Sequence, residues 1–495
     1  MKRASHFCLV LFLAIGQACA LWAGGGPEAV CLLVNGEDEE SRRIAETYAE
    51  LRGIPEANLV VLTGIPNRDR ISLAELKDLV LGPAFAELGN RELAGQIDYL
   101  VYSTGFPTRV SFSEEAKSHQ WVANAEGSIT GMTYLYRLLD EQRLPFLSPN
   151  ANRYFGGRLR LQTMPTDGVE LEAAGDLDFR APQPFRARTS WNAGGMPSRD
   201  VEGVRYLICS MLGVTRGDRA NSAAEIVAAL ERSAQADFSR PEGVFYFTRS
   251  GDLRSKVRNW AFDDAAARLK GMGFAAEVFE GTMPRGKPKV AGIMMGSASF
   301  DWIGAENQLL PGALCENLTS FGARFAGSHG QSLISQFVRA GAAGASGAVS
   351  EPYALQFKFP TPYLFVNYAS GLSLGEAYYR SILSPYNLLL LGDPLCQPYA
   401  EVPRFEVSGI RDGDRVSGNV KLAVRMEKGR PARVRIAVDG RIVGEAGPRD
   451  RYLLQTKELA PAEHTVVVIV TGDDQIATQG RATYKITVMD NSVPR

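Results

Sequence analysis

Histidine is scarce in this chain, with four among 495 residues: His6, His119, His329 and His464. Imidazole is the commonest general acid or base near neutral pH, so few positions are open to that chemistry. Cysteine is scarce too, and none of the six lies in a C-x-x-C pair, which argues against a zinc centre. No G-x-G-x-x-G follows the first apolar run, so the dinucleotide fingerprint is missing. Neither sign of charge dominates: 54 basic residues face 55 acidic ones, which argues against a nucleic-acid or anionic-membrane partner. Beyond the N-terminus no apolar run approaches the ~20 residues of a membrane span. No cofactor and no metal are implied.

What is present begins with an address. Lys2 and Arg3 precede an apolar run from Cys8 to Ile15, and Ala18-Cys19-Ala20 follows as a small-residue cleavage site. Residues 1–20 therefore read as a signal peptide, and the chain as periplasmic, cell-surface or extracellular. Lipidation at Cys19 is the weaker reading, because Gly16 and Gln17 suit such a site poorly. Its removal leaves Cys31, Cys209, Cys315 and Cys396. One or two disulfides are open to an exported protein, with the pairing undetermined. Cys31 and Cys209 sit inside apolar runs, as buried small hydrophobes do.

Hydrophobic content of 45% and charged content of 22% are those of a folded chain, and the length calls for two or three domains. Residues 28–200 form a first α/β half with long loop insertions. Its strands are expected at Ala29–Val34, Leu59–Leu62 and Ile97–Tyr102, and its helices near Ser41–Arg52 and Ile71–Leu88. Periodicity is weak from Ser111 to Ser198, as in loops that carry binding residues. Residues 201–402 form a second α/β half. Helices are expected at Val201–Leu212, Ser222–Ala234, Leu253–Met272, Gln331–Ala340 and Gly375–Ile382. Strands are expected at Val244–Thr248, Ala275–Phe279, Val290–Met295, Ala313–Cys315, Gly344–Val349 and Leu388–Leu391. Residues 403–495 turn to short β-runs separated by Asp412-Gly413, Asp439-Gly440 and Gly472-Asp473, the texture of an Ig-like sandwich.

In open parallel sheets ligands bind beyond the carboxyl ends of strands, which directs attention to the segments that follow them. Thr104, Gly105 and Arg109 follow the third strand. Arg109 has the fork to hold a carboxylate or phosphate through two nitrogens, or to form a surface ion pair. Ser297 and Asp301 follow Val290–Met295, and Glu351 follows Gly344–Val349. Asp301 and Glu351 make a candidate carboxylate pair, with turn shaping as the plainer role. Cys315, at a strand end, is the candidate nucleophile, with His329 or His119 as its base. His329 is expected to open a helix, where the dipole would favour the neutral ring.

The stretch Gly341–Pro394 joins a small-residue strand, a carboxylate, a helix carrying Leu-Gly-Glu-Ala-Tyr-Tyr-Arg-Ser, and Leu-Leu-Leu-Leu-Gly-Asp-Pro. It resembles the end of the catalytic domain in gingipain-type, caspase-like cysteine peptidases. That resemblance implies a His-Gly pair closing one strand and a cysteine closing the next. Here the first strand ends Met295-Gly296-Ser297, so the glycine stands without the histidine. Cys315 takes the cysteine position, and His329 comes after it, the reverse of that family's order. Four phrases also resemble a family of uncharacterised exported bacterial proteins: Ile44-Ala45 through Pro55, Gly105-Phe106-Pro107-Thr108-Arg109-Val110, Leu318-Thr319-Ser320-Phe321-Gly322, and the Gly341–Pro394 stretch. Three functional classes follow. The first is an exported protein on a peptidase-like scaffold that binds a peptide or cell-surface polymer. The second is a cysteine hydrolase using Cys315. The third is an envelope-associated structural protein held by its sandwich.

Overall fold

The computed structural model describes residues 25–119, 122, 124–159, 177–198, 203–327, 329–447 and 451–489. The expected signal peptide, residues 1–20, lies outside the described residues. Ten strands form one continuous sheet. They are β1 Val30–Asn35, β2 Leu59–Leu62, β3 Tyr99–Tyr102, β4 Ile208–Met211, β5 Val244–Arg249, β6 Ala275–Glu280, β7 Val290–Gly296, β8 Leu309–Leu318, β9 Gly344–Ala348 and β10 Leu388–Gly392. Their order is β6-β5-β7-β8-β9-β10-β4-β3-β1-β2. Neighbours run parallel along β6-β5-β7-β8-β9 and along β4-β3-β1-β2. β10 runs antiparallel to β9 and meets β4 at one position, Leu391 opposite Met211. The two expected halves thus share a single mixed sheet, in which β4 of the expected second half lies beside β3 of the first and β10 links it to β9.

Local signals account for much of this. Helix Glu39–Arg52 starts where Asp38 accepts from the Ser41 amide and stops where Gly53 turns left-handed. Its Ile44, Ala45 and Tyr48 are buried at the spacing of one helix face. Capping boxes open helices Ala223–Ala236 and Leu374–Arg380, through Ser222 with Glu225 and Ser373 with Glu376.

Four expectations are corrected. The helix expected at Val201–Leu212, of which 201 and 202 lie outside the described residues, is not formed over 203–212, because Ile208–Met211 is β4, buried on both faces like a central parallel strand. The strand expected at Ala313–Cys315 runs from Leu309 to Leu318, which puts Cys315 inside it. His329 does not open a helix, since the next one begins at Ser335. The helix expected at Leu253–Met272 is broken at Trp260-Ala261 into Leu253–Asn259 and Phe262–Gly271. The cysteines Cys31, Cys209, Cys315 and Cys396 are all unpaired and buried.

Beyond residue 403 lies a two-sheet β domain. Phe405–Ser408, Asn419–Met426 and Tyr452–Gln455 make one sheet. Asp414–Val416, Gln479–Val488, Glu463–Thr471, Arg433–Val438 and Arg441–Ala446 make the other. Ile436, Val466, Val468 and Val470 fill the space between. The domain docks through side chains that reach the start of the chain. Arg481 holds Glu28 with two nitrogens at 2.9 and 3.1 Å, and Gln96 bonds the backbone of both Gly440 and Ile442. Ile476 and Ala477, in a loop of this domain, belong to the core of the α/β region.

Candidate functional site

β1, β3 and β4 end side by side, and their following loops are tied together. Ser103 donates its amide to Leu33 and its hydroxyl to the Ser41 carbonyl. Thr104 and Thr215 share a hydroxyl contact at 3.1 Å, and the Thr215 amide donates to Thr104 Oγ1. Asn35 donates to the Gly105 carbonyl at 2.7 Å. Gly105 has a φ of 81°, and a Cβ there would strike the Asp38 carboxylate. That carboxylate caps its helix and pairs with Arg216 at 3.2 Å. Gly217, with a φ of 111°, lies against the Phe325 carbonyl, where a side chain has no room. The loop after β8 thereby closes on the loop after β4, and the Gly327 amide adds a bond to Asp218.

These loops enclose a cavity of about 380 Å³. Its lining includes Gly105, Phe106, Thr108, Met211, Thr215 and Arg216, with Asn67–Asp69 on one side and Ala326 at the surface. Among the described residues the lining holds no cysteine, histidine or serine. Thr108 donates to Asp69, and Asp69 also accepts from Arg109 Nε at 2.8 Å. A neighbouring cavity of about 460 Å³ shares Arg68 and Asp69 and continues over Arg70, Ser72, Arg109 and Ser111.

Cations crowd this rim. Arg70, Arg109 and Arg324 converge on Glu126, at 3.0, 3.1 and 3.6 Å. Burial and the adjacent Arg109 push the Arg324 guanidinium below its ordinary value. Arg216 Nη2 is engaged by Asp38, whereas its Nη1 is buried without a hydrogen-bond partner.

Of the residues singled out from sequence, Thr104, Gly105 and Arg109 gather at this site. The others lie elsewhere. Ser297 bonds the Ser299 carbonyl, and its backbone exchanges two bonds with the Asn317 side chain, which seals the ends of β7 and β8. Asp301 accepts from Gly304, and Glu351 accepts from Tyr353, each within its own turn. Cys315 sits between Ile293 and Ala345 of the adjacent strands, fully buried, and burial pushes its thiol far up. His329 packs on Phe321, with ring centroids 5.3 Å apart. His119 follows the short helix Ser113–Ala116 and bonds Ser118 at 3.0 Å. Among the described residues no three His, Cys, Asp or Glu side chains are grouped to hold a metal ion. No helix among them is long and apolar enough to cross a membrane.

Sequence reasoning missed Thr108, Thr215, Arg216 and Asn67–Asp69. The signal for Thr215-Arg216 was present: it is a strand-end segment, hidden by reading β4 as a helix.

No family model matches the chain, and no curated protein matches it. Among solved structures, fibronectin(III)-like modules of Clostridium thermocellum CbhA are 19% identical, over 17% of this chain and 96% of theirs, with a TM-score of 0.15. CopC from Methylosinus trichosporium OB3b is 24% identical over 19% of this chain and 100% of its own, also at 0.15. An endo-beta-1,4-mannanase from Thermotoga petrophila is 8% identical over 83% of this chain and 82% of its own, again at 0.15.

Proposed function

We propose that this chain is an exported binding protein on a gingipain-like scaffold, and that it holds an anionic peptide or cell-surface polymer in the cavity beyond β3 and β4. The observation that carries this reading is Arg216. Its side chain lines the cavity together with Arg68, and Asp38 fixes one of its guanidinium nitrogens. A guanidinium in a cavity wall favours an anionic group, which it can hold through charge-assisted hydrogen bonds. The lining favours holding over cleaving. Among the described residues it offers no thiol, imidazole or serine hydroxyl, and its two threonines are engaged, Thr108 by Asp69 and Thr215 by Thr104. The export part of the reading rests on the composition of residues 1–20.

The test is calorimetric titration of the full chain with random acidic hexapeptides and with polygalacturonate. Ala326 is exposed at the cavity, so Ala326→Trp blocks it without touching the core. Binding by the wild type and its loss in Ala326→Trp, at unchanged thermal stability, are expected. Equal binding by that variant removes the cavity from consideration.

A further inference from the structure

We propose that His464 is a proton-operated lock on the docking of the β domain: carrying two ring protons it fixes the Asp439-Gly440 turn that the α/β region grips, and giving one up loosens that grip. The first observation is a match of donors to acceptors. Nδ1 of His464 stands 2.6 Å from Oδ2 of Asp439, and Nε2 stands 2.8 Å from the Ala460 carbonyl. An ionised carboxylate and a carbonyl can only accept, so each ring nitrogen has to donate. The imidazolium carries both protons. A neutral ring, in either tautomer, turns a lone pair on one of its two acceptors.

The ring answers to one charge above all. It lies on the core-facing side of strand Glu463–Thr471, in line with Val466 and Val468, and is buried. Its neighbour Glu463 is exposed on the other face, where Lys485 of the adjacent strand lies 4.0 Å away. Asp414, beside the Ile486 that pairs with His464, bonds the Arg411 amide. Lys457 and Glu458, which precede Ala460, are exposed. Asp439 is the charge that faces the ring. Burial pulls the ring's pKa down, but the Ala460 carbonyl and the Asp439 carboxylate outweigh it and raise the pKa above its ordinary 6.5.

The second observation is what the turn holds. Asp439 and Gly440 have φ of 49° and 86°, and they join strands Arg433–Val438 and Arg441–Ala446. Oδ1 of Asp439 accepts from the Thr465 amide at 2.8 Å, so the two carboxylate oxygens pin the turn to strand Glu463–Thr471. The outer side of the turn meets the α/β region. Gln96 donates to the Gly440 carbonyl at 2.7 Å and accepts from the Ile442 amide at 3.0 Å. A Cβ on Gly440 would strike Pro55, and Arg441 pairs with Glu92. The residue held by the imidazolium is thus next in the chain to the residue held by Gln96. A raised pKa sets the sign: the contribution is complete below pH 6.5 and is lost as pH rises through the folded value above it. Asp439 is half exposed, so the pair is a modest one, worth a factor of about three.

The experiment uses the full chain and two readouts. Carbon-13 at the histidine Cε1 follows the His464 ring by NMR, with His464→Gln to assign its signal. Hydrogen exchange at the Ile442 amide, corrected for its intrinsic pH dependence, reads the docking, and the Val468 amide in the middle of its strand reads the domain itself. Ile442 protection should fall about threefold as His464 titrates, with Val468 unchanged, and should be low and flat with pH in His464→Gln. Linkage is reciprocal, so Gln96→Ala, made in the α/β region, should lower the His464 pKa by about 0.5, the same factor read from the other end. A ring that titrates at or below 6.5 overturns the proposal. So does Ile442 protection that ignores the titration, or that falls together with Val468, which marks a loss of stability in the whole domain. Should His464→Gln fail to fold, the wild-type titration and Gln96→Ala decide: a His464 pKa that Gln96→Ala leaves in place severs the ring from the docking.

Discussion

Arg258 and Glu316 are the most tightly enclosed ion pair described here, both essentially without solvent contact. The guanidinium also donates to the carbonyls of Met295 and Pro360, which ties helix Leu253–Asn259 to the ends of β7 and β8. Burial pushes the Glu316 carboxyl up, and Arg258 opposes it. Taking away one partner strands the other, so Arg258→Met should cost about 3–5 kcal/mol in urea denaturation, and adding Glu316→Met should restore most of it. Cys315 lies next in the strand with its side chain on the opposite face. Its thiol and those of Cys31, Cys209 and Cys396 are all buried, and burial raises each of them. These four thiols should stay silent to a disulfide-exchange reagent in the native protein and react together on unfolding. Rapid native labelling lost in Cys315→Ala would revive a hydrolase.

At the scale of elements, glycines show where backbones must touch. A Cβ at Gly296 would run into the main chain of Arg254, so Gly296→Ala should displace helix Leu253–Asn259 and cost about 1–3 kcal/mol, read as a lower melting temperature. The glycine of Met295-Gly296-Ser297 thus has a packing reason to be there. Elements with local punctuation were legible in the sequence: Asp38 and Gly53 bound one helix, Ser222 with Glu225 opens another, and the Asp439-Gly440 turn joins two strands. β4 was not legible, because an apolar run buried on both faces carries no period that separates strand from helix. That one misreading hid Thr215 and Arg216. Thr104 and Gly105 were reached because β3 was placed correctly. Asp393 stands directly before Pro394 in sequence. It is also the buried partner of Arg52 and of the Tyr48 hydroxyl, more than 340 positions away, and no local pattern announces such a contact.

At the scale of the molecule, Glu28 governs how the β domain responds to acid. Burial pushes its carboxyl up, but Arg481 and Arg435 override this and hold it at about 2, against an ordinary 4.5. A depressed carboxylate contributes stability above its unfolded value and loses it as pH falls through the folded one. The contribution is of order 3 kcal/mol, and it should fade between pH 4.5 and 2. Glu28→Gln should lower stability at pH 7 and flatten the profile in that window, as measured by denaturant midpoints. Ile476 and Ala477 bear on how the molecule is made. They cover part of the α/β core from within the β domain. That part of the core has no cover until the segment carrying Ile476 has been made, so the α/β region depends on the domain that follows it to finish its packing.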